Sequence, residues 1–138
     1  MNKRTIFLSK MRRQRILTAM VLACGLAGPV QAEILASGPV YGGPSQNHVA
    51  CSVFNANSDP ITFVRTDIFD QTSLDAIPLT FNNCGASLAP GDQCNFQTVA
   101  NNQGYACKVI INEGKENIRG TMIALDPSNT VLSEADLR

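Results

Sequence analysis

Two apolar runs far apart in the chain each carry a cysteine: VACSVFN at 49–55 and YACKVIIN at 105–112. In both, the apolar residues fall on alternate positions. Val49, Cys51 and Val53 share one parity in the first; Tyr105, Cys107, Val109 and Ile111 share one in the second, with Lys108 on the other. Side chains alternate across a β-strand, so each cysteine is expected on the more apolar face of a strand. A chain with two such strands is expected to bury both faces in one interior.

How many cysteines the folded chain holds depends on its start. Lys3, Arg4, Lys10, Arg12, Arg13 and Arg15 make a basic opening, ILTAMVLACGLAG is apolar and uncharged, and VQA closes the segment. That is the three-part layout of a bacterial-type secretory signal, with cleavage expected between Ala32 and Glu33. Its apolar core is shorter than the ~20 residues of a membrane span. Met11 opens a second, more ordinary signal. Cys24 in VLAC offers an alternative, a lipid-anchored lipoprotein, although Leu22 stands where a small residue is usual.

Removing 32 of the 138 residues leaves 106, enough for one domain. Residues 33–138 hold 11 acidic and five basic side chains, a net charge of −6. An acidic domain is a poor partner for nucleic acid or an anionic membrane. Four cysteines remain, Cys51, Cys84, Cys94 and Cys107, and an even number in a small exported domain reads as two disulfides. Cys51 and Cys107 lie on core-facing positions of separate strands, so a bridge between them would cross the interior. Cys84 and Cys94 flank GASLAPGDQ, whose Pro90-Gly91 step marks a turn that brings its ends together.

From residue 48 onward the chain is a series of short apolar runs closed by turn residues. HVACSVFN, ITFVRTDIFD, IPLTF, CNFQTVA, YACKVIIN, IRGTMIAL and TVLSEADLR follow one another at strand-like spacing. Seven runs rich in Val, Ile, Thr and Phe predict an all-β, antiparallel β-sandwich over 48–138. In ITFVRTDIF the apolar parity slips after Phe63, which predicts a β-bulge at Phe63–Val64. The last stretch is the best helix candidate and is too short to stand alone. The lead-in EILASGPVYGGPSQN, residues 33–47, is expected to be a flexible Gly/Pro-rich arm or a proline-broken edge strand.

The loop NNCGASLAPGDQC, residues 82–94, resembles the Cys-Gly, Leu, Pro-Gly, Cys loop of bacterial Hydin-type (choice-of-anchor) immunoglobulin-like repeats. VFNANSDPITF resembles their strand-turn-strand segment. The likeness covers about residues 50–100. It departs after Cys94, where CNFQTVANNQG lacks the family's Phe-x-Pro, and in having Cys107. The Cys51–Cys107 pair is similar to the inter-sheet bridge of immunoglobulin domains, and Tyr105 stands two residues before Cys107, where a tyrosine corner would place it. With no Trp in the chain, Phe63 is the expected aromatic packing partner of that bridge. The resemblance implies an immunoglobulin-like sandwich of about seven strands, an exported location and a non-catalytic role.

Motifs for chemistry are sparse. His48 is the single histidine, and no Cys-x-x-Cys or GxSxG occurs. Closed zinc sites need four ligands, usually in close pairs, so no metal or cofactor is expected. Asp67 and Asp70, three apart on a strand, fall on opposite faces, unlike a glycosidase carboxylate pair. SGPVYGGPS lacks the Lys-Ser/Thr of a phosphate loop; Tyr41 within it is a candidate exposed contact. Arg65 and Arg119 are a candidate solvent-facing pair, or else separate charges neutralised by Asp67 or Glu116. The expected function is therefore a non-enzymatic binding or structural module of the bacterial envelope or exterior. Its partner would be a protein or glycan. The alternative is a small envelope enzyme or enzyme inhibitor with a pocket near His48.

Overall fold

Alternation of small apolar and polar residues builds strands here throughout. The computed structural model describes residues 31–138 except Leu74 and Glu113; residues 1–30 of the leader expected over 1–32, Cys24 among them, lie outside the described residues. Nine strands run in chain order: β1 (Glu33–Ala36), β2 (His48–Asn55), β3 (Ile61–Asp70), β4 (Phe81–Asn82), β5 (Ser87–Leu88), β6 (Gln93–Val99), β7 (Tyr105–Ile111), β8 (Ile118–Leu125) and β9 (Val131–Asp136). They form two antiparallel sheets, ordered β1-β7-β3-β5 and β4-β6-β2-β8-β9, packed as a sandwich. The count of seven is corrected to nine. The two additions are β1, inside the Gly/Pro-rich lead-in, and β5, two residues within the Cys84–Cys94 loop.

β7 pairs with β3, and β2 pairs with β6, as strands F with C and B with E do in an immunoglobulin sandwich. The outer strands differ. There the first strand lies beside B and the last beside F. Here β1 lies beside β7 in the four-stranded sheet, and β8 lies beside β2 in the five-stranded one. First and eighth strands have traded sheets, and β9 extends the larger sheet as a hairpin from β8.

That hairpin turns on Asp126. Its carboxylate accepts the N–H groups of Ser128 and Thr130 at 2.8 Å each, and Asn129 takes the left-handed conformation with φ 62°. The final stretch, the helix candidate, is thereby returned as a strand along β8. Pairing partners decide a short segment's conformation when its own propensity is weak.

Along one side the two sheets are joined. Ala36 and Arg138 exchange both main-chain hydrogen bonds, at 3.0 and 3.1 Å, and Leu137 N–H donates to the Gly120 carbonyl at 2.9 Å. The end of the chain therefore stitches β1 to β8. Along the opposite side β5 and β4 are both edges. The Asn82 amide donates to Thr66 Oγ1 at 3.0 Å across the gap, and the Cys84–Cys94 disulfide ties the β4–β5 connection to β6.

The lead-in 33–47 takes the edge-strand form. After β1, Val40 exchanges two main-chain bonds with Tyr105, at 2.8 and 2.9 Å. Leu35 and Val40 are each 2% exposed. Gln46, also buried, accepts from the Gly42 N–H (2.7 Å) and donates to the carbonyls of Asn101 (2.7 Å) and Gln103 (3.0 Å). A buried amide with its bonds made holds the segment against the 100–104 loop.

The core follows the expected parity. Val49, Cys51, Val53, Tyr105, Cys107, Val109 and Ile111 are all buried. On β3 the register shifts between Phe63 and Arg65, the bulge expected there. Val64 faces solvent within it, and Ile68 resumes the interior set.

Candidate functional site

Cys51 and Cys107 are bonded, with Cα atoms 6.4 Å apart, and link the five-stranded sheet to the four-stranded one. Cys84 and Cys94 are bonded at a Cα separation of 4.8 Å. All four are at most 2% exposed. A buried, bonded cysteine is neither nucleophile nor metal ligand. Two such bonds form where thiols are oxidised, as in exported proteins.

The aromatic partner of the inter-sheet bridge is Phe96, not Phe63. Phe96 is directly opposite Cys51 on β6 and 0% exposed, with Met122 opposite Cys51 on β8. Ile68 stands opposite Cys107 on β3. Phe63, at the bulge, is half-buried and packs against the margin of the core. Phe63 stands opposite Ile111, four positions along β7 from Cys107; Phe96 sits on the same parity as Cys94 and Thr98 in CNFQTV, and that alternation is its signal. Tyr105 is buried, and its hydroxyl accepts the Asn101 N–H at 2.7 Å and the Gln103 amide at 3.3 Å. It turns back to backbone four residues upstream, as a tyrosine corner does.

A second buried hub escaped the sequence. Asn55, the last residue of β2, is 0% exposed. Its amide donates to the carbonyls of Asp59 and Leu88, both at 2.9 Å, and its carbonyl oxygen accepts the Asn57 N–H at 2.9 Å. Its backbone also bonds Gly91 and Asp92. One side chain thereby ties the β2–β3 turn to the Cys84–Cys94 loop.

The remaining candidates lie apart. His48 opens β2 on the outer face of the five-stranded sheet, between Val99 and Leu125. Its Nδ1 is 3.3 Å from Asn47 Oδ1, and no Asp or Ser is its hydrogen-bond partner among the described residues. Arg65 and Arg119 belong to different sheets, so they form no shared anion contact. Arg65 pairs with Asp67 at 2.7 Å, and Arg119 caps the carbonyls of Glu116 and Ile118 at 2.9 Å each. Asp67 is across from Lys108 on the outer face, while Asp70 is across from the inward Tyr105, so the two carboxylates do face opposite ways. Asp70 lies at the strand's end. The Ser73 N–H, then the hydroxyls of Thr72 and Ser73, hold its carboxyl down from 3.8 to about 2. Tyr41 is 52% exposed, with its hydroxyl donating to Asn102 Oδ1 at 2.6 Å.

Two of the open surface grooves are the largest by volume among those described. One of about 490 Å³ is lined by Leu35, Ile118, Leu137 and the opposed charges of Arg119, Arg138 and Asp136. The other, about 350 Å³, lies between Asn57–Pro60 and Gly114. Among the described residues no group of three or more His, Cys, Asp or Glu side chains is placed to hold a metal, and no helix is long and apolar enough to cross a membrane.

Three exposed apolar side chains, Val99, Val131 and Phe81, lie on the outer face of the five-stranded sheet around the buried Leu125. Val99, His48, Leu125 and Val131 form one cross-strand row, and Phe81, Gln97, Ala50 and Ile123 the next. Val99, Val131 and Phe81 are 62%, 50% and 47% exposed. Compared with known proteins, the chain matches no family model, no curated protein and no solved structure.

Proposed function

We propose that the chain is an exported, non-enzymatic binding or structural module of the bacterial cell envelope or exterior, cut between Ala32 and Glu33. One observation carries this reading: the four cysteines and four buried polar side chains are committed internally. The four cysteines are in disulfides. The buried polar groups Gln46, Asn55, Asp67 and Thr98 are bonded to main chain or to Arg65. Contact with a protein or glycan is then left to sheet edges, loops and the Val99–Val131 face. The alternative of an enzyme or inhibitor was keyed to His48, whose neighbours are Val99, Leu125 and Asn47. The likeness of residues 82–94 to the Hydin-type loop agrees with a non-catalytic sandwich.

Intact mass of the protein recovered from the envelope and the medium of a bacterium making the full chain tests it. The expected species starts at Glu33 and lacks four hydrogens. A full-length chain, or one starting at an acylated Cys24, overturns the cleavage between Ala32 and Glu33; the acylated form would support the lipoprotein alternative.

A further inference from the structure

We propose that the slot beside β7, filled in cis by residues 33–40, is a strand-exchange site whose trans occupant is the same segment of a second copy of this chain. The proposal rests on the fold and goes beyond the module reading above.

The slot recognises its occupant as strand-addition sites do, by a main-chain ladder with side-chain anchors on alternate positions. Glu33 to Ala36 pair with Ile111 to Lys108. Beyond them Ser37 N–H donates to the Cys107 carbonyl (3.1 Å), Ser37 Oγ accepts the Cys107 N–H (2.9 Å), and Val40 exchanges bonds with Tyr105. Leu35 and Val40 are the two buried anchors.

The segment is separable from the body. β1 belongs to one sheet and the next strand, β2, to the other. Withdrawing 33–40 breaks the Ala36–Arg138 and Ser37–Leu137 pairings as well as the β7 ladder, all of which a second copy's segment can remake, and leaves the β2 ladders to β6 and β8 untouched. The connection contains Gly38, Pro39, Gly42, Gly43 and Pro44, and no atom lies within 4 Å of a Cβ built on Gly38 or Gly43. Withdrawal would leave β7 as a bare edge with Val109 and Ile111 uncovered, a surface that pairs with any suitable strand. The slot cannot close until β7, some 70 residues later, is in place, so segments from other copies compete for it. A flexible tether gives the cis segment an effective concentration in the mM range. Exchange is therefore expected only where copies are crowded.

The test uses the exported protein, its start established by intact mass, and a synthetic peptide of residues 33–47. Native mass spectrometry from micromolar to about 1 mM should show a dimer fraction that grows with concentration and is abolished by excess peptide. A peptide carrying Leu35→Asp and Val40→Asp should have no effect. In hydrogen exchange the amides of Ala36, Ser37 and Val40 should exchange at least about tenfold faster than those of β2, as sub-global opening requires. A protein monomeric throughout, a dimer indifferent to the peptide, or equal exchange in β1 and β2 each overturns the proposal.

Discussion

Cys51 and Phe96 stand directly opposite each other on adjacent strands, both 0% exposed. The inter-sheet disulfide is therefore packed by a phenylalanine from its own sheet, in a chain without tryptophan. Phe96→Ala removes a fully buried ring and should cost ~3–5 kcal/mol. Phe63→Ala, at the half-buried bulge, should cost clearly less. Urea unfolding of the two variants checks the order, and an equal or reversed loss would return the packing role to Phe63.

The sequence conveyed faces better than neighbours. The parity of Val49, Cys51 and Val53, and of Tyr105, Cys107, Val109 and Ile111, reports which side chains go inward, because that depends only on the strand's own pleat. The Phe63–Val64 slip was visible for the same reason. Which strand lies beside which is a non-local matter. Nothing in EILA says that it pairs with β7, and nothing in IRGTMIAL says that it pairs with β2, so the exchange of outer strands was hidden. Asn55 gives no signal of its role in the sequence, since its three bonds go to loops whose paths the sequence does not disclose. His48 and the two arginines were legible as candidates; their separation followed from sheet membership alone.

The Asn55 hub should be costly to remove. Asn55→Ala strands the buried Leu88 carbonyl without its donor, while the Asp59 carbonyl, on an exposed residue, can turn to water. An unsatisfied buried group costs ~1–3 kcal/mol, so a loss of ~1–3 kcal/mol is expected in thermal or denaturant unfolding. A change within ~0.5 kcal/mol, typical of surface sites, would contradict the role.

Asp70 gives the chain a pH signature. Its carboxyl is depressed in the fold from 3.8 to about 2 by the Ser73 N–H and the Thr72 and Ser73 hydroxyls. The charged form is favoured when folded, so its contribution is fully present above pH 3.8 and fades as pH falls toward 2. Asp70→Asn should flatten that limb of the stability profile while leaving its form between about pH 5 and neutrality little changed. Parallel profiles for the two proteins below pH 4 would refute the assignment.

The two bridges should differ in weight. In the chain-entropy model a loop closed over 56 residues is worth ~4 kcal/mol and one over 10 residues ~3 kcal/mol. Cys51→Ala with Cys107→Ala should therefore lower stability more than Cys84→Ala with Cys94→Ala, beyond the cost of the lost packing beside Phe96. Equal midpoints in guanidinium would contradict this.

That cysteines in two distant runs serve as a bolt between sheets, and not as a reactive pair, is the claim on which the rest depends. Proteolysis of the unreduced exported protein, followed by mass spectrometry of the linked peptides, tests it most directly. The expected map joins Cys51 to Cys107 and Cys84 to Cys94. A Cys51–Cys84 or Cys51–Cys94 link, or alkylation of Cys51 and Cys107 as free thiols, would contradict it.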